Sequence, residues 1–302
     1  MQTERPSPRF ADIDAWQPAD VLEAMVEGQF AAVAAVRAAL PEIERAALGI
    51  EQRLRGTGRL VYAGAGTSGR LAVQDGAELM PTFGWPQERL LLLIAGGETA
   101  MLQAVEGAED EVGHAAELVD RHRVSTDDAL IAVAASGTTP FTLSCLRQAK
   151  RRGAYTLGIA NNRDAPILRE AKEAIFLDTG AEPIAGSTRM KAGTAQRITL
   201  NLLSSLVMIR LGHVYRGLMV DLQSSNIKLG KRKKAIVAYL TGSSEEDAER
   251  ALQRSRGDVK MAVLLLRGCD PRAASELLHR AGGNLRQALA LASGTDPKSA
   301  VE

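Results

Sequence analysis

From residue 58 to about 180 the apolar residues come in short bursts separated by longer segments of helical spacing. The bursts are Leu60 to Ala63, Leu90 to Ala95, Ala129 to Ala135, Tyr155 to Ile159 and Ala174 to Leu177. Runs this short and this apolar fit strands covered on both faces, and their alternation with helical segments predicts a parallel sheet flanked by helices. Upstream, Val21 to Leu54 carries Val33, Val36, Leu40 and Ile43 at helical spacing and is broken by Pro41, which predicts two helices. Downstream, a helical pattern runs from Ser187 to about Leu211, with Met190, Ile198, Leu202, Leu206 and Ile209 apolar. Lys228 to Lys234 reads as a linker, and the rest as a small helical domain broken near Gly257, Gly268 to Pro271 and Gly282-Gly283.

Two turns carry the candidate chemistry. The first strand runs into Gly64-Ala65-Gly66-Thr67-Ser68-Gly69-Arg70, where glycines let the backbone approach an anion and the amides of the following helix attract it. The letters also fit a dinucleotide fingerprint. That reading needs an acidic residue about 20 positions on, whereas Glu98 follows Gly69 by almost 30, so a monophosphate cradle built on Gly66, Thr67 and Ser68 is expected. The third strand ends in Ser136-Gly137-Thr138-Thr139-Pro140, a second hydroxyl-rich turn into a helix. Ligands in open α/β sheets bind beyond the carboxyl ends of the strands, so both loops should share one rim.

Ser187 to Lys191 is expected to begin the long helix and to add a hydroxyl, helix-end amides and the Lys191 cation. Capping alone would explain Ser187, but ligand contact is the favoured expectation, since both roles draw on the same exposed amides. Glu78 is expected about three turns into the helix opened by the first loop, and Glu109 beside an apolar stripe of Met101, Val105, Ala108 and Val112. Read from spacing alone, both glutamates fit ordinary surface positions.

Composition narrows the classes. The chain has 302 residues, a formal net charge of +1 and 24% charged residues, so neither a nucleic-acid-binding field nor an acidic tail is indicated. The basic cluster at 228–234 reads as solvated surface. Cys145 and Cys269 are far apart, and the four histidines lack ligand spacing, so no disulfide framework and no metal site is called for. A polar start and the lack of a membrane-length apolar run predict a soluble, cytoplasmic protein without membrane partners.

Several strings together resemble one family, the N-acetylmuramic acid 6-phosphate etherases, whose core is a sugar isomerase (SIS) domain. They are Gly64 to Leu71 (GAGTSGRL), Ile94 to Glu98 (IAGGE), Ala104 to Asp110 (AVEGAED), Ala134 to Pro140, Ser187 to Gln196 (STRMKAGTAQ), Asn201 to Ser204 and Gly217 to Asp221. The tail, with Gly257 to Val263, is similar to a ubiquitin-associated-like bundle. The resemblance implies an SIS-type, doubly wound, flavodoxin-like α/β domain over residues 55–225, after a helical segment at 1–54 and before a small all-helical domain at 226–302.

It also implies cleavage of a lactyl ether in a phosphorylated amino sugar, with Glu78 and Glu109 as the catalytic acid/base pair, no cofactor, and a homodimer. The sugar phosphate would be held by Gly66, Thr67, Ser68, Ser136, Gly137, Thr138, Thr139, Ser187 and Lys191. The start resembles the family's Thr-Glu opening at Thr3-Glu4 but lacks the asparagine usual shortly after it. Val26-Glu27-Gly28-Gln29 stands where the family tends to have acidic and asparagine residues, and the family's Asp-Ala-Ser-Glu-Cys-Pro-Pro reads Asp75-Gly76-Ala77-Glu78-Leu79-Met80-Pro81. The competing expectations are a non-catalytic sugar-phosphate sensor like glucokinase regulatory protein, which needs two such domains, and an aldose-ketose isomerase.

Overall fold

The computed structural model describes residues 1–222 and 227–294. In chain order its helices and strands are α1 (Pro18–Ala38), α2 (Leu40–Leu54), β1 (Leu60–Gly64), α3 (Gly66–Ala77), α4 (Leu79–Phe83), β2 (Leu90–Ile94), α5 (Val112–Arg121), β3 (Ala129–Val133), α6 (Pro140–Arg151), β4 (Tyr155–Ala160), α7 (Pro166–Glu170), β5 (Glu173–Phe176), α8 (Lys191–Arg210), β6 (Val214–Tyr215), β7 (Leu218–Met219), α9 (Ile227–Thr241), α10 (Glu245–Arg254), α11 (Val259–Leu266), α12 (Pro271–Arg280) and α13 (Leu285–Ala292). They divide into two compact units, Met1–Ala77 with Gln87–Ser205, and Glu78–Pro86 with Leu206 onward.

In the first unit β1 to β5 form one sheet in the order β2-β1-β3-β4-β5, and every pairing is parallel. All residues of β1, β3 and β4 are buried, as expected of strands covered on both faces. The order reverses between β1 and β3, so the crevice beyond their carboxyl ends is where this topology places a ligand. The five expected strand runs coincide with the five observed strands. Pro41 sits in the first turn of α2, where its missing N–H leaves no hydrogen bond unmade.

At the opposite end of β1 and β3, Arg59 and Asp128 staple the strands together. Asp128 accepts from the Arg59 backbone N–H (2.8 Å), Arg59 Nη2 (2.8 Å) and the Ser125 backbone N–H (2.9 Å). Burial pushes the carboxyl up, and the hydrogen bonds from Arg59 and Ser125 outweigh it, holding Asp128 below the usual carboxylate range. A depressed folded pKa contributes stability above the unfolded value, about 4, and that contribution is lost as pH falls through the folded value. Replacing Asp128 by Asn is therefore expected to lower stability at neutral pH and to flatten its decline below about pH 4. Urea midpoints of the two proteins at pH 3 and pH 7 check this, and an equal loss at both pH values would contradict it.

The second unit is helical apart from the β6–β7 hairpin, and its buried cluster joins Val220, Ile236, Val237, Leu240, Val259, Val263, Leu264 and Leu285. Four of its helices begin at a side-chain cap: Ser244, Asp258, Asp270 and Asn284 accept from the backbone N–H of Asp247, Met261, Ala273 and Gln287. Trp85 is buried and lies edge-on to His213, with ring centroids 5.9 Å apart. That packing explains why the 78–86 segment belongs to this unit. The partition therefore differs from boundaries placed at 54/55 and 225/226, and the latter lies outside the described residues.

Three expectations are corrected. Lys228 to Lys234 is not a linker but part of α9, in which Ile236, Val237 and Leu240 are buried. Residues 98–112 do not form a helix with an apolar stripe. Gly97 and Gly107, both at positive φ, break the segment into short 3-10 turns at Glu98–Met101 and Ala108–Asp110, and Val105 and Val112 are exposed. The long helix starts at Lys191 rather than Ser187, because Ser187 to Met190 is taken up by turns.

Candidate functional site

The rim predicted from sequence is assembled within the first unit. Gly64 ends β1 and Gly69 lies in the first turn of α3, so close that a Cβ on either would stand 2.8 Å from backbone of the other. Only glycine at both positions lets the helix start this tightly off the strand. The amides of Gly66, Thr67 and Ser68 occupy the first turn of the twelve-residue α3, where they have no intrahelical partner. A Cβ on Gly193 of α8 would meet Thr67 Cγ2 at 3.5 Å, so α8 passes against the same turn.

Ser68 is buried, and its hydroxyl donates to Gln196 Oε1 (2.9 Å). Gln196 Nε2 donates in turn to Asn161 Oδ1 (2.9 Å), and Asn161 Nδ2 to the Leu177 carbonyl (3.1 Å). The Ser68 proton is therefore committed to a buried chain linking α3, α8 and the ends of β4 and β5. Its backbone amide is the group it can offer a ligand.

In the second loop Gly137 takes positive φ, and a Cβ there would collide with Ala165. The Ser136 hydroxyl accepts from the Thr138 backbone N–H (3.2 Å) and lies 3.4 Å from Thr139 Oγ1. Thr139 precedes Pro140 at the start of α6, and Thr138 is exposed. The two expected hydroxyl loops thus lie beyond adjacent strands, on either side of the topological switch.

The third expected contributor is arranged differently. Glu182, fully buried, accepts from the backbone N–H groups of Lys191 (3.0 Å) and Ala192 (2.8 Å). The N-terminus of α8 is therefore filled by the protein's own carboxylate and is not open to a substrate anion, and Ser187 does not cap it. Lys191 is itself largely buried. Burial pushes its ammonium below the usual lysine range, the Glu182 charge opposes that, and Arg9 reinforces it.

Glu109 lies in the 3-10 turn Ala108–Asp110 and is exposed. It lines a cleft of about 230 Å³ together with Gly66 of the first loop, Arg70 and Glu106. Arg70 ties that cleft together, donating from Nε to the Ala100 carbonyl (2.7 Å) and from Nη2 to the Gln103 carbonyl (3.2 Å). Glu78 is not within α3 but in the turn after Ala77, exposed, in the second compact unit, where its carbonyl accepts from the Thr82 N–H (3.2 Å). Cys145 is buried, and its thiol is pushed up to about 12, so it is inert as a nucleophile. Among the described residues no cluster of three or more His, Cys, Asp or Glu is gathered as for a metal ion.

The sequence reading missed several residues. Asn162, buried beyond β4, donates to the Ala135 carbonyl (2.9 Å) and to Thr3 Oγ1 (3.1 Å), and accepts from the Gln2 N–H (2.6 Å). The Thr3 carbonyl accepts from the Gly186 N–H (3.0 Å), so the N-terminal residues are fastened to the rim beside Ser136. Asn161-Asn162 follows a strand run at the carboxyl edge of the sheet, and that placement was the available signal.

With the geometry in place, relatives supply the family. The chain is 48% identical over 266 residues to the N-acetylmuramic acid 6-phosphate etherase of Deinococcus radiodurans, covering 88% of this chain and 87% of that protein. The Streptomyces coelicolor protein of the same name is 45% identical over 267 residues, covering 88% and 86%. The chain belongs to the N-acetylmuramic acid 6-phosphate etherase family. Residues 42–150 match the glucokinase regulatory protein N-terminal SIS domain, and residues 100–206 match the SIS domain. A solved Bacteroides fragilis protein assigned as a phosphosugar isomerase involved in capsule formation shares the fold of this etherase-family chain. Its TM-score is 0.51 at 19% identity, over 68% of this chain and 97% of that one.

Proposed function

We propose that this chain cleaves the D-lactyl ether of N-acetylmuramic acid 6-phosphate, giving N-acetylglucosamine 6-phosphate and D-lactate in the recycling of cell-wall amino sugars. The observation that carries the reading is 48% identity, over 88% of the chain, to an enzyme named for that etherase activity. The cleft in which Glu109 faces the phosphate cradle at Gly66 supports it.

In the ring-opened sugar the C1 aldehyde acidifies the C2 proton. A carboxylate removes that proton, the C3–O bond breaks, and the ether oxygen leaves on lactate, protonated by an acid. Water then adds its oxygen at C3 and C2 is reprotonated, so no redox partner is required. Glu78 serves as the proton donor and Glu109 as its acid/base partner. The 6-phosphate is held by the amides of Gly66, Thr67 and Ser68 and by the loop of Ser136, Gly137, Thr138 and Thr139. The Ser187 hydroxyl and the Lys191 side chain, rather than the α8 amides that Glu182 occupies, complete the pocket from the third segment. Binding energy from the phosphate, remote from the broken bond, orients C2 and C3.

The catalytic segment is 55–225, and the protein acts in the cytoplasm as a homodimer. Among the described residues no helix is long and apolar enough to cross a membrane. The match to the glucokinase regulatory protein domain favours one second reading, a sugar-phosphate sensor, which would bind without turnover. D-lactate appearing with N-acetylglucosamine 6-phosphate establishes the etherase. Binding without lactate would make the chain a sensor, and a ketose product without lactate an isomerase. Ser136→Ala is expected to raise KM with little change in kcat, and an unchanged KM would remove Ser136 from the phosphate contact.

A further inference from the structure

α1 is built inside out. The residues it turns towards its own unit are mostly small: Ala24, Gly28, Ala32 and Ala35 are buried with Val36. Its large apolar residues Leu22, Val26, Phe30 and Val33 are 64%, 55%, 70% and 52% exposed. Their spacing of four, four and three residues puts them in one stripe, opposite the buried face and about 17 Å long at ~1.5 Å per residue. A stripe of this kind on a soluble protein marks an interaction surface.

The charges beside the stripe identify the occupant. Glu23 and Arg37 are exposed and, among the described residues, ion-paired to nothing within the chain. Each lies seven residues from Phe30, one before it and one after, so all three recur on one side of the helix, about two turns apart. Two antiparallel copies of α1 crossing at Phe30 bring Glu23 of each against Arg37 of the other and bury both stripes. An isologous two-fold contact needs this kind of self-complementarity, and an unrelated partner would not.

We infer that the outer face of α1 is the seam of a homodimer, packed antiparallel about Phe30, and that this seam holds the inner face of α1 against the phosphosugar site. On that inner face a Cβ at Gly28 would stand 3.0 Å from Lys191 Cδ, and Gln29 Oε1 accepts from the Thr194 hydroxyl at 2.6 Å. The seam therefore backs the stem of Lys191 and the first turns of α8. The inference rests on the homodimer in the proposed function and adds where it forms.

Light-scattering mass and sedimentation of the full chain test it. The wild type is expected to be a dimer at micromolar concentration and Phe30→Glu a monomer, with unchanged far-ultraviolet circular dichroism and a raised KM for the phosphosugar. Val26→Glu provides the same reading should Phe30→Glu fail to fold. Glu23→Arg alone should weaken the dimer by on the order of tenfold, and Glu23→Arg with Arg37→Glu should restore it, because the swapped charges again face each other. A wild-type dimer that survives both Phe30→Glu and Val26→Glu overturns the seam and leaves the homodimer standing. A wild type that is monomeric at every concentration overturns both, while its lactate release tests the etherase reading separately.

Discussion

Glu109→Gln is expected to lower kcat for lactate release by about 10² to 10⁴ while leaving KM and folding nearly unchanged. The amide keeps the size and hydrogen-bonding reach of the carboxylate and removes only its ability to exchange a proton. Glu109 is exposed, on a surface turn, with no buried partner to lose, so the substitution has no structural route to so large an effect. A positioned general acid or base contributes on this scale, and its loss appears in the chemical step rather than in binding. Steady-state kinetics on both proteins check it. A kcat within a few-fold of wild type would remove Glu109 from the proton transfers and leave the cleft beside Gly66 as a binding feature only.

The second large effect is expected at a residue that touches no substrate. Glu182 accepts two backbone N–H groups at the start of α8 and is fully buried. Glu182→Ala leaves both amides without an acceptor in a buried place, and each orphaned donor costs about 1 to 3 kcal/mol. The expected loss is several kcal/mol, a large fraction of the stability of a typical domain. Glu182→Gln, which keeps one acceptor oxygen, should lose clearly less. Urea denaturation of the three proteins decides between this account and a dispensable carboxylate, for which both variants would unfold at the wild-type midpoint. Because the Lys191 stem leads off the same turn, Glu182→Ala should also weaken phosphosugar binding in whatever fraction remains folded.

The sheet and the tight turns at its carboxyl edge were legible in the sequence for a physical reason. A strand buried on both faces has to be apolar throughout, so Leu60 to Ala63 and Ala129 to Ala135 stand out without help from neighbours. Glycine and hydroxyl residues directly after them mark where the backbone turns tightly. Local pattern fails where a partner distant in sequence decides. Glu182 looks like any surface glutamate until α8 is folded back onto it. Thr3 becomes a buried rim residue through Asn162 and Gly186, 159 and 183 positions away. The 98–112 segment carries helical spacing, but Gly97 and Gly107 at positive φ divide it into turns. The basic run from Lys228 reads as a linker in isolation, whereas its apolar continuation, Ile236, Val237 and Leu240, fixes it as a helix packed in the second unit. Glu78 is expected on the helix opened by the first loop, about three turns in, and it stands one residue beyond that helix, in the turn after Ala77.

The most direct test of the central claim is a reaction run to completion with N-acetylmuramic acid 6-phosphate in water enriched in ¹⁸O, with both products analysed by mass. Elimination followed by hydration takes the new C3 oxygen from solvent and leaves the ether oxygen on lactate, so the account predicts label at C3 of N-acetylglucosamine 6-phosphate and unlabelled lactate. Label in the lactate hydroxyl with none at C3 would place the cleavage on the lactyl side and contradict the mechanism, and no lactate at all would contradict the function.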